Sequence, residues 1–175
     1  MQRQLGWTLG LFLLAGLLLA GAASHRQAPL VGASRVGEQV ERLESLVAHH
    51  PKDRDASIRL CRAYLDRGLP GAALSVIHHA PASVRTDPMM RHLWAEALLR
   101  GGDALQARDV ERKVLEACRR EKCDPWLDAS ARYRLMFLEA LGEQGVKDYR
   151  KMPVSTVRAF ERMPLAWVRV ESPRR

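Results

Sequence analysis

The stretch Cys61–Leu74, CRAYLDRGLPGAAL, is answered thirty-four residues later by Ala95–Arg108, AEALLRGGDALQAR, with Ala63 and Ala97, Leu65 and Leu99, Gly68 and Gly102, and Ala73 and Ala107 in matching places. Two readings compete: a glycine loop that cradles an anion, or the joint of a repeat. Backbone amides at a helix N-terminus do bind anions. RGGDALQAR, however, lacks the lysine and the serine or threonine of a phosphate loop, and no strand pattern precedes it. The joint is the better reading.

Working outward, the same order of parts recurs on both sides. Asp53 and Asp87 stand fifteen residues before Gly68 and Gly102, where an aspartate can cap a helix start and a glycine can take the left-handed conformation at its end. Pro88 follows Asp87 in the first-turn position, where its missing amide hydrogen costs nothing. The first helix of the first unit carries Ile58, Leu60, Cys61, Tyr64 and Leu65, and its partner carries Ala72, Ala73, Val76 and Ile77 up to about Ala80, before Pro81. In the second unit Leu93, Trp94, Ala97 and Leu98 face Ala107, Val110, Val114 and Ala117 or Cys118. A third unit starts at Asp124-Pro125 and runs through Trp126, Leu127, Ala131, Leu135, Leu138 and Leu141 to Gly142. Upstream, Val36, Val40, Leu43, Leu46 and Val47 mark one face of a helix that Pro51 stops near His50. Downstream, a short helix over Ser155–Arg162 pairs Val157 with Phe160, and LAWVRVE alternates enough to be extended.

The N-terminus reads as an address. MQRQ is followed by an apolar run over residues 5–23, with small residues at Ala20, Ala22 and Ser24. This is a signal peptide over 1–24 or an uncleaved membrane anchor, with a polar linker over 25–35. In either case the remaining chain is expected to be exported, periplasmic or otherwise extracytoplasmic. The formal net charge is +8, and loss of residues 1–24 would remove Arg3 alone and leave +7. The arginines are scattered with no aromatic ladder among them, so nucleic acid is not expected as a partner.

At this point the chain resembles the tetratricopeptide repeat family, whose thirty-four-residue units are helix-turn-helix hairpins. The resemblance rests on Leu60, Cys61, Tyr64, Gly68, Ala73, Ile77 and Ala80 in one unit and Trp94, Ala95, Leu98, Gly102 and Ala107 in the next. Small residues sit where helices cross closely, and large ones fill the gaps. Glu111 departs from the pattern, standing where a large apolar residue belongs. The resemblance implies an all-α fold, a short right-handed helical-hairpin solenoid over 36–145, followed by an irregular capping segment over 146–175. It also implies a groove lined by the first helices of successive units. On this chain that groove would expose Asp55, Ile58, Arg62, Leu65 and Asp66, then Met89, His92, Glu96, Leu99 and Arg100, to a protein partner in the cell envelope. The lysine and asparagine clamp with which some members hold a C-terminal carboxylate is absent, since Ile58, Arg62 and Leu93 stand in its place. So short a stack also allows self-association.

Other chemistry is thin. Cys118 and Cys123 read as a disulfide in an oxidising compartment, and Cys61 reads as a buried small residue. The doublets His49-His50 and His78-His79, with the cysteine pair, offer the alternative of a metal- or haem-handling protein. Against it, imidazoles at helix C-termini are stabilised there by the helix dipole. No cofactor, no Ser-His-Asp spacing and no HExxH motif is read from the sequence, and an enzyme is not expected.

Overall fold

A computed structural model describes residues 31–163; among them every regular element is a helix. The expected signal or anchor over 1–24 and the end of the chain over 164–175 lie outside the described residues. The chain divides into two units, 1–38 and 39–175; of the first, only the opening turns of helix α1 are described. Helix α1 is Val31–His49, so it starts five residues before the expected Val36, inside the stretch read as linker.

The second unit is a succession of hairpins. Helices α2 (Arg54–Asp66) and α3 (Pro70–His79) form the first, and α4 (Ala82–Arg85) is an extra turn after it that buries Val84. Helices α5 (Pro88–Gly101) and α6 (Ala104–Glu121) form the second. Helix α7 (Pro125–Glu143) packs on α6, and α8 (Pro153–Glu161) packs on α7. Helices α2, α5 and α7, the first of each unit, touch one another in order.

The caps explain the boundaries. Asp53 accepts a hydrogen bond from the amide of Ala56, Asp87 from those of Met89 and Met90, and Asp124 from that of Trp126. At the other ends Gly68 and Gly102 adopt φ of +70° and +96°. Each glycine amide bonds back three residues, and the next amide bonds back five: Gly68 to Leu65 and Leu69 to Tyr64, then Gly102 to Leu99 and Asp103 to Leu98. That pair of bonds satisfies carbonyls a helix end leaves open. The third unit repeats it at Gly145 (φ +67°), with Val146 bonding back to Leu141. The expected terminator, Gly142, lies inside the helix instead. Helix α7 therefore outruns its sequence reading, which stopped at the first available glycine.

Small residues let the helices approach: Cys61, Ala73, Ala95 and Ala107 are all fully buried. The Cys61 thiol sits against the Ala73 carbonyl and the Met90 sulfur, and burial pushes its pKa up to about 12. Val40 and Leu43 of α1 pack on Leu60. Beside them, burial raises the Tyr64 phenol to about 12, helped by its hydrogen bond to Glu44.

Between α7 and α8 the chain folds back onto the second glycine turn. The Lys147 carbonyl accepts from the Ala104 amide at 3.0 Å, and Arg150 donates to the Gly101 carbonyl at 2.9 Å while holding Asp148. The amides of Gly102, Asp103, Ala104 and Gln106 are all engaged within the fold, so most of the donors an anion would need are already used. It is a joint. Beyond it, α8 buries Ala159 but leaves Val154, Val157 and Phe160 exposed, so the expected Val157–Phe160 pair faces outward.

Candidate functional site

Helices α2, α5 and α7 enclose a groove of about 220 Å³. Of the residues expected there, Arg62, Leu65, Asp66, Met89, His92 and Glu96 line it, and Leu93, Trp126, Ser130 and Arg134 complete it. Asp55, Ile58, Leu99 and Arg100 do not. Asp55 is out at the helix start, paired with Arg54 at 2.8 Å. Ile58 is buried in the core with Met90, and Leu99 packs against the cluster around Leu138. Arg100 donates to the Leu65 carbonyl at 2.5 Å and pairs with Glu96, tying α5 to the end of α2.

Ile58 is thus not exposed as expected, and two residues that do line the groove are corrected in the same way. Leu65 lies on the groove floor almost wholly buried, and His92 is only 2 % exposed. The reason for the second is Glu111 of α6, the residue that departs from the repeat pattern. Its carboxylate is fully buried. A buried charge is tolerated only when it is paired and hydrogen-bonded, and Glu111 draws its partners from two other helices. His92 Nδ1 lies 2.5 Å from Glu111 Oε1, and Arg134 Nη1 lies 3.6 Å from Oε2. Oε2 itself receives no hydrogen bond.

The network extends into the groove. With its hydrogen on Nδ1, His92 would donate to Glu111 and leave Nε2 as an acceptor, while Arg134 Nη1 also approaches Nδ1 at 3.3 Å. Ser130 Oγ lies 3.1 Å from Nε2 and in that tautomer is the donor. Arg134 donates to the His92 carbonyl at 2.6 Å and to Glu96 Oε2 at 3.1 Å. Glu96 thus bridges Arg134 and Arg100. The floor is a chain of ionisable groups from three helices, tied to α2 through the Leu65 carbonyl, and most of its hydrogen bonds are spoken for.

The rim is different. Arg62 is exposed, and its guanidinium meets the Met89 sulfur at 3.3 Å rather than a carboxylate. Trp126, read from sequence as core, is 57 % exposed and meets the His92 ring edge-on. It caps nothing and buries little. Trp126, Ser130 and Arg134 recur every fourth residue after the Asp124-Pro125 start, which places them on one helix face. That spacing is the signal by which the third helix's share of the groove is legible.

The histidine doublets do not converge. His49 and His79 each turn Nδ1 to the carbonyl four residues back in their own helices, and His78 meets Trp94 edge-on. Among the described residues, no group of three or more His, Cys, Asp or Glu is placed to hold a metal ion. Cys118 and Cys123 lie 4.7 Å apart at Cα with their sulfurs 2.10 Å apart, across the end of α6.

Residues 40–97, from the last turns of α1 through most of α5, match the family model described as tetratricopeptide repeat. Neither the curated proteins nor the solved structures give a match.

Proposed function

We propose that the protein is an exported protein-protein interaction scaffold that holds a segment of an envelope protein in the α2–α5–α7 groove. The matched repeat supports the coarser statement, that the chain takes part in protein-protein contact. The observation that carries the finer one is the contrast between floor and rim. The floor is cross-linked by ionic groups and buried, while Arg62 and Trp126 stand open above it. Tryptophan and arginine are the residues that most often dominate binding energy at interfaces, and a rigid floor spares a partner the entropy of ordering it. The leader over residues 1–24 supports export, and the hairpins are read as the opening turns of a right-handed solenoid.

The test is affinity capture from envelope extract with wild type, Arg62→Glu and Trp126→Ala. Truncating a central aromatic anchor typically costs about 2 kcal/mol or more, so recovery of the captured partner should fall at least tenfold in each variant. Recovery unchanged in both would remove the groove as the binding surface.

A further inference from the structure

Three side chains from three helices meet in an order that catalytic hydrolases also use. Ser130 Oγ lies 3.1 Å from His92 Nε2, and His92 Nδ1 lies 2.5 Å from Glu111 Oε1. Such constellations are recognised by geometry and role, not by sequence order. Each link takes the required direction when His92 carries its hydrogen on Nδ1, the nitrogen that Arg134 Nη1 also approaches at 3.3 Å. Glu111, fully buried, holds His92 Nδ1; His92, nearly buried, turns Nε2 to the serine; and Ser130 is the more exposed of the two members that line the groove.

From this geometry we propose that Ser130 is a nucleophile for short-chain acyl esters, with His92 as its general base and Glu111 as the positioning residue. The activity goes beyond the scaffold reading and does not depend on it. In the first step Ser130 Oγ forms a bond to the acyl carbon while its proton moves to His92 Nε2. The ester C–O bond breaks, and the departing oxygen takes that proton. In the second, water gives a proton to Nε2 as its oxygen bonds to the acyl carbon. The Ser130 ester then breaks and Oγ recovers the proton.

Two features suit these steps. A positive charge appearing on His92 meets the buried Glu111 carboxylate at 2.5 Å, whose other oxygen faces Arg134 Nη1 at 3.6 Å without a hydrogen bond. Arg62, free of any carboxylate, lines the same groove and supplies a cation for the charge that develops on the carbonyl oxygen. The volume of about 220 Å³ and the apolar walls of Leu65, Met89 and Leu93 limit the acyl group to a short one.

The experiment uses purified exported protein with p-nitrophenyl acetate and, separately, a fluorophosphonate probe whose adduct is located by mass spectrometry. The expected result is a burst of p-nitrophenol equimolar with protein and a phosphonyl adduct on Ser130. Ser130→Ala should abolish both while keeping the wild-type helical melt. Glu111→Gln should slow labelling on the order of a hundredfold or more, the usual contribution of an oriented general base. No burst, or an adduct on any residue other than Ser130, overturns the proposal, and the adduct map needs no variant to do so. Partner capture with Arg62→Glu and Trp126→Ala is read independently, so the scaffold reading survives or falls on its own result.

Discussion

Glu111 is the residue on which the groove turns. It is a carboxylate at an apolar position of the repeat, and it is stable there because His92 and Arg134 come to it from α5 and α7. Removing one partner of a buried pair leaves the other uncompensated, at a cost of about 3–5 kcal/mol. Glu111→Ala is therefore expected to destabilise the fold by that order in chemical denaturation. Replacing Glu111 and His92 together by leucine should cost less than the sum of the single changes, because neither polar group is then left without its partner in the other. Cys61 gives a second check at this scale. With its pKa pushed to about 12 by burial, the thiol is protonated throughout the neutral range. It should stay unlabelled by iodoacetamide at pH 8 in the native protein and react once the chain is unfolded in denaturant. Neither Glu111 nor His92 showed its role in the sequence. A charge at an apolar position says only that a partner is needed, and the partners lie 19 positions before it and 23 after it, on separate helices.

At the scale of the element, capping was the legible part. Asp53, Asp87 and Asp124 announce their helices because a side-chain cap is a local contact, made within three residues of itself. The ends were read correctly at Gly68 and Gly102 and misplaced at Gly142, where helix continuity wins and the turn forms at Gly145. A glycine only permits a left-handed turn; the packing of α7 against α6 decides where the turn falls. Gly102 is the most demanding of these positions. Besides its φ of +96°, a Cβ there would lie 2.4 Å from Arg150 Nη2 and 2.7 Å from Asp148 Oδ2. Gly102→Ala should thus lower stability by more than about 1 kcal/mol. The same change at Gly68, where a Cβ would meet nothing, should cost less. Thermal melts of the two variants side by side separate the crowding from the backbone strain they share.

At the scale of the molecule, successive repeat units share hydrophobic clusters, and polar ties reinforce them. Arg54 at the start of α2 reaches the cap of α5, donating to Asp87 at 2.5 Å, and that bond raises its pKa. The Cys118–Cys123 pair would add a covalent tie at the turn from α6 to α7, and its short loop limits the gain to roughly 2 kcal/mol. Changing both cysteines to serine should leave the fold intact and lower its stability by no more than that. Alkylation under denaturing, non-reducing conditions should modify Cys61 alone. The groove belongs to this scale as well, because no single unit contains it: α2, α5 and α7 each supply part. The most direct measurement is photocrosslinking in cells, with the reactive residue placed at Met89 in the groove or at Arg119, exposed on α6 away from it. A protein partner trapped from Met89 and not from Arg119 is the expected result. Equal trapping from both positions, or trapping from Arg119 alone, would contradict a groove that binds.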